Sequence, residues 1–291
     1  MKTSFIQITF LMSMLFSFVS VMAQTKRALV IGLGQQEDKA WAKINGDRDV
    51  PLVVKMLRSA GFKNIDTLVD SKATKAGIVA SFRKLESRCK KGDVVYIHFS
   101  GHGQQMTDCE GDESDGLDEA WIPYDAYKKY CAKDRGEKHL SDDEVGRMLM
   151  AIRRQVGPNG KILVVVDACH SGSATREPDA DEGAVRGTWD NFVIPETRRK
   201  RAKTEAVVQD WLSISACKDY QNNYEMKDKE VGKLTCALFE MTQEGKNLSD
   251  GQIVDYLVSF MKKHRGALPQ TPVFSGTDGN ASISDILRLK K

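Results

Sequence analysis

Short apolar runs alternate with amphipathic stretches along most of this chain. Arg27 to Leu33 (RALVIGL), Ile65 to Val69, Val94 to Phe99 (VVYIHF) and Ile162 to Val166 (ILVVV) are rich in β-branched residues and too short to span a membrane, the pattern of buried strands. Between them Val50, Val53, Val54 and Leu57 recur at helical spacing from Asp47 to a stop at Gly61, and Ile78, Phe82 and Leu85 mark a second helix over 74–88. Ser141-Asp142-Asp143-Glu144 predicts the capped start of a third helix running through Ile152. Farther on, Trp211 to Ala216 and Thr271 to Phe274 read as strands, and Val231 to Thr242 and Leu248 to Lys263 as helices. Strands alternating with helices predict a parallel sheet covered on both faces, within one α/β domain. Two stretches lack either period and are expected to be loops: Asp108 to Glu119, and a long exposed one from Gly172 to about Glu205.

Composition changes this picture little. A net charge of +3 over 291 residues, with acidic and basic residues interspersed, argues against a nucleic-acid partner. The first 23 residues do add something. Lys2, the apolar Phe5 to Phe18 and Val21-Met22-Ala23 before Gln24 have the form of a cleaved signal peptide, so the chain is expected to be exported without stable membrane insertion afterwards. Six cysteines show no C-x-x-C spacing and no zinc pattern; Cys109 and Cys131, flanking one polar loop, are the best candidates for a disulfide. Gly32-x-Gly34 lacks the third glycine and the immediate helix of a dinucleotide site, so it reads as a strand-ending turn, and no organic cofactor is expected.

Candidate chemistry lies where strands end. Val94 to Phe99 runs into Ser100-Gly101-His102-Gly103, and Ile162 to Val166 into Asp167-Ala168-Cys169-His170-Ser171-Gly172. Loops at the carboxyl ends of parallel strands share one rim of the sheet, which would bring an imidazole and a thiol together. A histidine that accepts the thiol proton makes a cysteine nucleophile, and the N–H groups of Gly103 and Cys169 could hold the oxyanion of a tetrahedral intermediate. His170 is a rival base, but neighbours on an extended backbone point apart. A buried structural cysteine beside a core histidine is the plain alternative.

These two motifs resemble the histidine and cysteine motifs of the metacaspases, within the caspase-like cysteine peptidases. The similarity extends to Gly111 to Glu119, Ser141 to Glu144, Ser215-Ala216-Cys217 and Gly232 to Thr235. It implies a caspase-like α/β fold: a central, mostly parallel six-stranded sheet flanked by helices on both faces. It divides the chain into a larger part (24–175), an exposed loop (176–205) and a smaller part (206–291), and leans towards a monomer. It implies endopeptidase action on protein or peptide substrates after arginine or lysine, with Asp49, Ser100 and Asp167 as the pocket. A carboxylate facing a guanidinium or ammonium would select those side chains. Asp49 can also be explained as an acid near a positive helix end, and Gly46 stands where the family has a cysteine.

The resemblance further implies Ca²⁺ stimulation, for which Asp112, Glu113, Asp118, Asp142 and Asp143 could supply oxygen ligands. A solvated acidic loop and a helix cap account for the same residues. Arg198, Arg199, Lys200 and Arg201, after the nucleophile, are candidate self-cleavage positions in a chain that would start as a zymogen. Two rivals remain: a clostripain- or gingipain-like peptidase, and a catalytically silent caspase-like module that binds partners through its loops.

Overall fold

The computed structural model describes residues 24–169, 183–199, 205–245, 247–266, 268–277 and 282–288. The leader, His170, Lys200 and Arg201 lie outside the described residues. In chain order the elements are β1 (Lys26–Gly32), α1 (Gly46–Ser59), β2 (Asn64–Val69), α2 (Lys75–Arg88), β3 (Val94–Ser100), β4 (Gly103–Thr107), β5 (Leu117–Trp121), β6 (Leu140–Ser141), α3 (Asp142–Val156), β7 (Lys161–Asp167), β8 (Leu212–Ser215), β9 (Glu225–Met226), β10 (Val231–Gly232), α4 (Lys233–Gln243), α5 (Asp250–Lys263), β11 (Val273–Ser275) and α6 (Ile283–Leu287).

The main sheet has six strands in the order β11-β8-β7-β3-β1-β2, parallel except for β11. Side chains alternate across it as the two-residue strand period requires. Ala28 and Val30 of β1, Tyr96 of β3 and Leu163 and Val165 of β7 pack against α1, α4, α5 and α6. Leu29, Ile31, Ile97, Ile162 and Val164 face α2 and α3 on the opposite side. Helix starts follow local capping chemistry. Thr74 accepts the Gly77 N–H, Ser141 accepts that of Glu144, and Ser249 with Gln252 closes a capping box on α5.

Register matters most at the top of β3 and β7, where Ser100 pairs with Asp167. Both point to the α1 and α4 side, and one further step of two residues along each chain leads to His102 and Cys169. No helix among the described residues is long and apolar enough to cross a membrane.

Three expectations are corrected. Leu117 to Glu119 are not loop: they begin β5, which pairs with β4 and β6 in a three-stranded antiparallel sheet beside the main one. Cross-strand pairing, not a hydrophobic period, holds this short polar strand. The stretch around 183–194 is not exposed either, since Arg186, Phe192 and Ile194 are buried. Phe192 and Ile194 pack with Trp41, Met106 and Ile122, and the Phe192 main chain bonds to Gln105 and Thr107. Cys109 and Cys131 are both free thiols.

Candidate active site

The rim above β3 and β7 collects the residues expected there. His102 is buried and stacked on Trp41, ring centroids 4.9 Å apart. Its Nε2 lies 2.9 Å from the Ala42 carbonyl oxygen, which only accepts, so Nε2 carries the hydrogen and Nδ1 is the basic nitrogen. Nδ1 is buried with no hydrogen-bond partner among the described residues. Burial pushes the imidazole down to about 4 despite the Ala42 bond, with Arg186 and Lys128 adding to the shift, so it is neutral near pH 7.

Cys169 is also buried, and its thiol donates to the Gln221 carbonyl at 3.0 Å. Cys217 donates to the same oxygen at 3.2 Å. The hydrogen bond with Cys169, together with burial, holds the Cys217 thiol well above its ordinary value and makes it a poor nucleophile.

The decisive residue is one with no motif to mark it in the sequence. Arg186 is fully buried, with its main-chain carbonyl accepting the Cys169 N–H at 2.8 Å and the Gly103 N–H at 3.4 Å. These are the two donors expected to form an oxyanion hole. Its guanidinium fills the pocket beneath them. NH1 donates to Asp49 Oδ2 at 2.6 Å, Ser100 Oγ at 3.2 Å and the Asp167 carbonyl at 3.3 Å. Nε and NH2 both donate to Glu225 Oε1, at 3.0 and 2.9 Å.

All three expected pocket residues therefore meet at one cation, in unequal roles. Asp49 makes the short contact, and its carboxyl also accepts from Ser100 Oγ and the Gly232 N–H. Asp167 Oδ1 stands 3.6 Å from NH1 and is occupied by Asn223, while Oδ2 takes the Thr235 N–H and hydroxyl. Asp167 is thus chiefly a wall bonded to its neighbours. Burial pushes the Asp167 carboxyl up, but Arg186 and the Asn223 and Thr235 donors outweigh it and hold it low. Burial wins at Asp49, raising it against the pull of Arg186.

Glu225 had no sequence signal, lying in a polar segment between a tyrosine and a methionine. The Asn45 N–H at 2.7 Å and the Asn45 side-chain amide at 2.5 Å hold its carboxylate in place. Next to Asn45, Gly46 is the position where the resemblance expects cysteine. A Cβ there would lie 2.5 Å from both the Leu33 and Ser100 carbonyl oxygens, so α1 starts too close to the strand ends for any side chain.

The main chain on either side of Arg186 is also docked. Val185 bridges Tyr224 in antiparallel fashion, with Arg186 N–H donating to the Asn223 carbonyl and Glu225 N–H to that of Ala184. Beyond it, Gly187 bridges Gly103, and Gln104 Nε2 donates to the Asp190 carbonyl at 2.7 Å. A Cβ on Gly187 would lie 3.0 Å from Cys169 Cβ, which puts the Arg186–Gly187 peptide directly against the nucleophile.

A sequence model of the caspase domain matches residues 25–279. The chain belongs to the caspase-domain family. Among curated relatives, this caspase domain is 31% identical over 162 residues to metacaspase-1A of Aspergillus oryzae, covering 53% of this chain and 36% of that one. It is 35% identical over 108 residues to metacaspase-1 of Ajellomyces capsulatus, covering 37% and 27%. The aligned part thus spans about a third of those relatives. Among solved structures, protein GSU0716 of Geobacter sulfurreducens superposes with a TM-score of 0.65 at 23% identity, covering 92% of this chain and 100% of that one. Caspase-1 of Spodoptera frugiperda gives 0.59 at 12%, covering 88% and 89%. At these identities the two structures establish the fold.

The acidic candidates of this caspase domain are brought together only in part. Carboxylate oxygens of Asp108, Asp112 and Asp118 lie within 4.8 Å of one another. Asp108, outside the expected set, also accepts the N–H groups of Glu110, Gly111 and Glu113. Asp118 is pushed up to about 8 by burial and by Asp108, Asp142, Asp143 and Asp112. Asp143 is instead paired with Arg147, which also bonds Glu110. Arg198 and Arg199 are exposed, Arg198 bordering a cavity of about 750 Å³ beside β4 and β5. Neither of them reaches the pocket that Arg186 fills.

Proposed function

We propose that this chain is an exported cysteine endopeptidase of metacaspase type that cleaves after basic residues, arginine in preference to lysine. One observation carries the reading: an arginine sits with its guanidinium among Asp49, Glu225 and Asp167 and its carbonyl on the N–H groups of Cys169 and Gly103. A substrate arginine at that position would use the same contacts. In this reading His102 Nδ1 takes the Cys169 thiol proton, and the thiolate adds to the scissile carbonyl. The two amides stabilise the oxyanion, and the imidazolium protonates the departing amine. Water, deprotonated by His102, then hydrolyses the thioester.

Lysine would reach Asp49 as a point charge but has no N–H donors at the Nε and NH2 positions that Glu225 binds, which favours arginine. Ca²⁺ is also part of the proposal. Asp108, Asp112 and Asp118 offer the hard oxygen donors it requires, and the ion would supply positive charge to a carboxylate cluster among which Asp118 is buried. Asp118 lies on β5, the partner of the strand that begins at Gly103.

The test is to assay the protein lacking residues 1–23 on peptide amides ending in Arg, Lys or Asp, with and without calcium, beside Cys169→Ala. Hydrolysis after Arg above Lys, absent in the variant, is the expected result. Cleavage of no substrate under any condition would leave a silent binding module instead.

A further inference from the structure

We infer that the Arg186–Gly187 bond is this chain's own cleavage site, and that the uncut chain is blocked by its own arginine. The inference rests on the peptidase reading above and goes further in naming one bond and a latent state.

Four features of residues 184–192 place this bond as a substrate. The side chain before it fills a buried site where three carboxylates converge, donating three hydrogen bonds to Glu225 and Asp49 and two more to the Ser100 hydroxyl and the Asp167 main-chain carbonyl, with the Asp167 carboxylate 3.6 Å away. Its carbonyl oxygen rests on the two N–H groups that would receive an oxyanion. The main chain pairs on both sides, with 223–225 ahead of the bond and with β4 beyond it. The residue after the bond is glycine, and the close approach of Cys169 leaves no comfortable room for a side chain there. Arg198 and Arg199 have none of these contacts.

The same geometry explains latency. No other arginine can enter the pocket while Arg186 fills it, and the thiol donates to the Gln221 carbonyl while His102 Nδ1 has no hydrogen-bond partner among the described residues. Cutting begins when Sγ–H turns from Gln221 to Nδ1. The thiolate then bonds to the Arg186 carbonyl carbon, and the C–N bond to Gly187 breaks. His102 returns the proton to the new Gly187 amine, and one water hydrolyses the thioester to leave an Arg186 carboxylate and a free thiol. On the far side of the cut, Phe192 and Ile194 remain packed with Trp41 and Met106. The new amino-terminal segment therefore stays in place, and the pocket opens once the cut frees Arg186 to exchange its contacts with 223–225 for water.

The experiment follows purified protein lacking residues 1–23 by intact mass and amino-terminal sequencing, while recording hydrolysis of an arginyl peptide amide, with and without calcium. A fragment beginning Gly187-Thr188-Trp189 is expected in the wild type and not in Cys169→Ala, with the two pieces co-eluting on gel filtration. Peptide hydrolysis should show a lag that ends as this fragment accumulates. Arg186→Gln should abolish the cut and the lag together. Arg186→Lys, which keeps a cation opposite Asp49, should slow the cut at least about tenfold and carries the test if Arg186→Gln does not fold. Arginyl-peptide hydrolysis without a lag, or with cuts only at Arg198 to Arg201, would sink this inference and leave the peptidase reading standing. Hydrolysis by neither wild type nor variants would remove both.

Discussion

Replacing Glu225 with glutamine isolates the part of the pocket that arginine uses and lysine does not. Oε1 takes two bonds from the guanidinium, at 3.0 and 2.9 Å, in a fully buried pair. Glutamine keeps the volume and an acceptor oxygen but removes the charge. Each bond then changes from one between two opposite charges to one between a charged donor and a neutral acceptor, a loss of about 1 kcal/mol apiece and about 2 kcal/mol together. At 1.36 kcal/mol per factor of ten, that is roughly a 30-fold drop in kcat/KM for an arginyl substrate. A lysyl substrate, whose ammonium would stop at Asp49, should lose much less, so the Arg/Lys ratio falls by nearly the whole amount. The assay compares matched Arg and Lys peptide amides with fully cut enzyme, and with Asp167→Asn as a second variant. An unchanged Arg/Lys ratio in Glu225→Gln would refute the assignment of Glu225 as the arginine-selective wall.

Further expectations follow from other parts of the site. His98 and His102 are both buried and held down at about 4, whereas the unfolded chain titrates them near 6.5. Between those values the unfolded state binds more protons, so stability falls as the pH drops from 6.5 towards 4, by up to about 3 kcal/mol for each residue. Urea midpoints of Cys169→Ala at pH 7 and pH 5 should show this, and His102→Gln should flatten it; identical pH slopes for both proteins would count against the buried neutral imidazole. Calcium should raise the thermal midpoint of Cys169→Ala but not of Cys169→Ala/Asp118→Asn, with bound metal counted by equilibrium dialysis; equal shifts in both would exclude the Asp118 cluster. Gly46→Cys should cost about 1–3 kcal/mol, since the Leu33 and Ser100 carbonyls crowd any Cβ there. Denaturant unfolding measures it directly, and an undiminished midpoint would contradict the close approach.

By itself the sequence determined the framework. Runs such as Val94 to Phe99 and Ile162 to Val166 are short, β-branched and bounded by turns, which marks buried strands, and the helical periods between them call for parallel crossovers. His102 and Cys169 were legible because each stands two residues beyond Ser100 and Asp167, at the ends of adjacent strands whose register is fixed by their buried faces. Tertiary structure decided what lies above that rim. Arg186 and Glu225 sit in segments with no hydrophobic period, because main-chain pairing and buried ion pairs hold them, and neither leaves a repeating mark in a sequence. It also decided which carboxylates bond the Arg186 guanidinium: Asp49 and Glu225 do, while Asp167 bonds chiefly to Asn223 and Thr235. Three carboxylates far apart in the chain become a single arginine site only where α1, the end of β7 and β9 converge, and the cation that fills it comes from a stretch that looked like exposed loop.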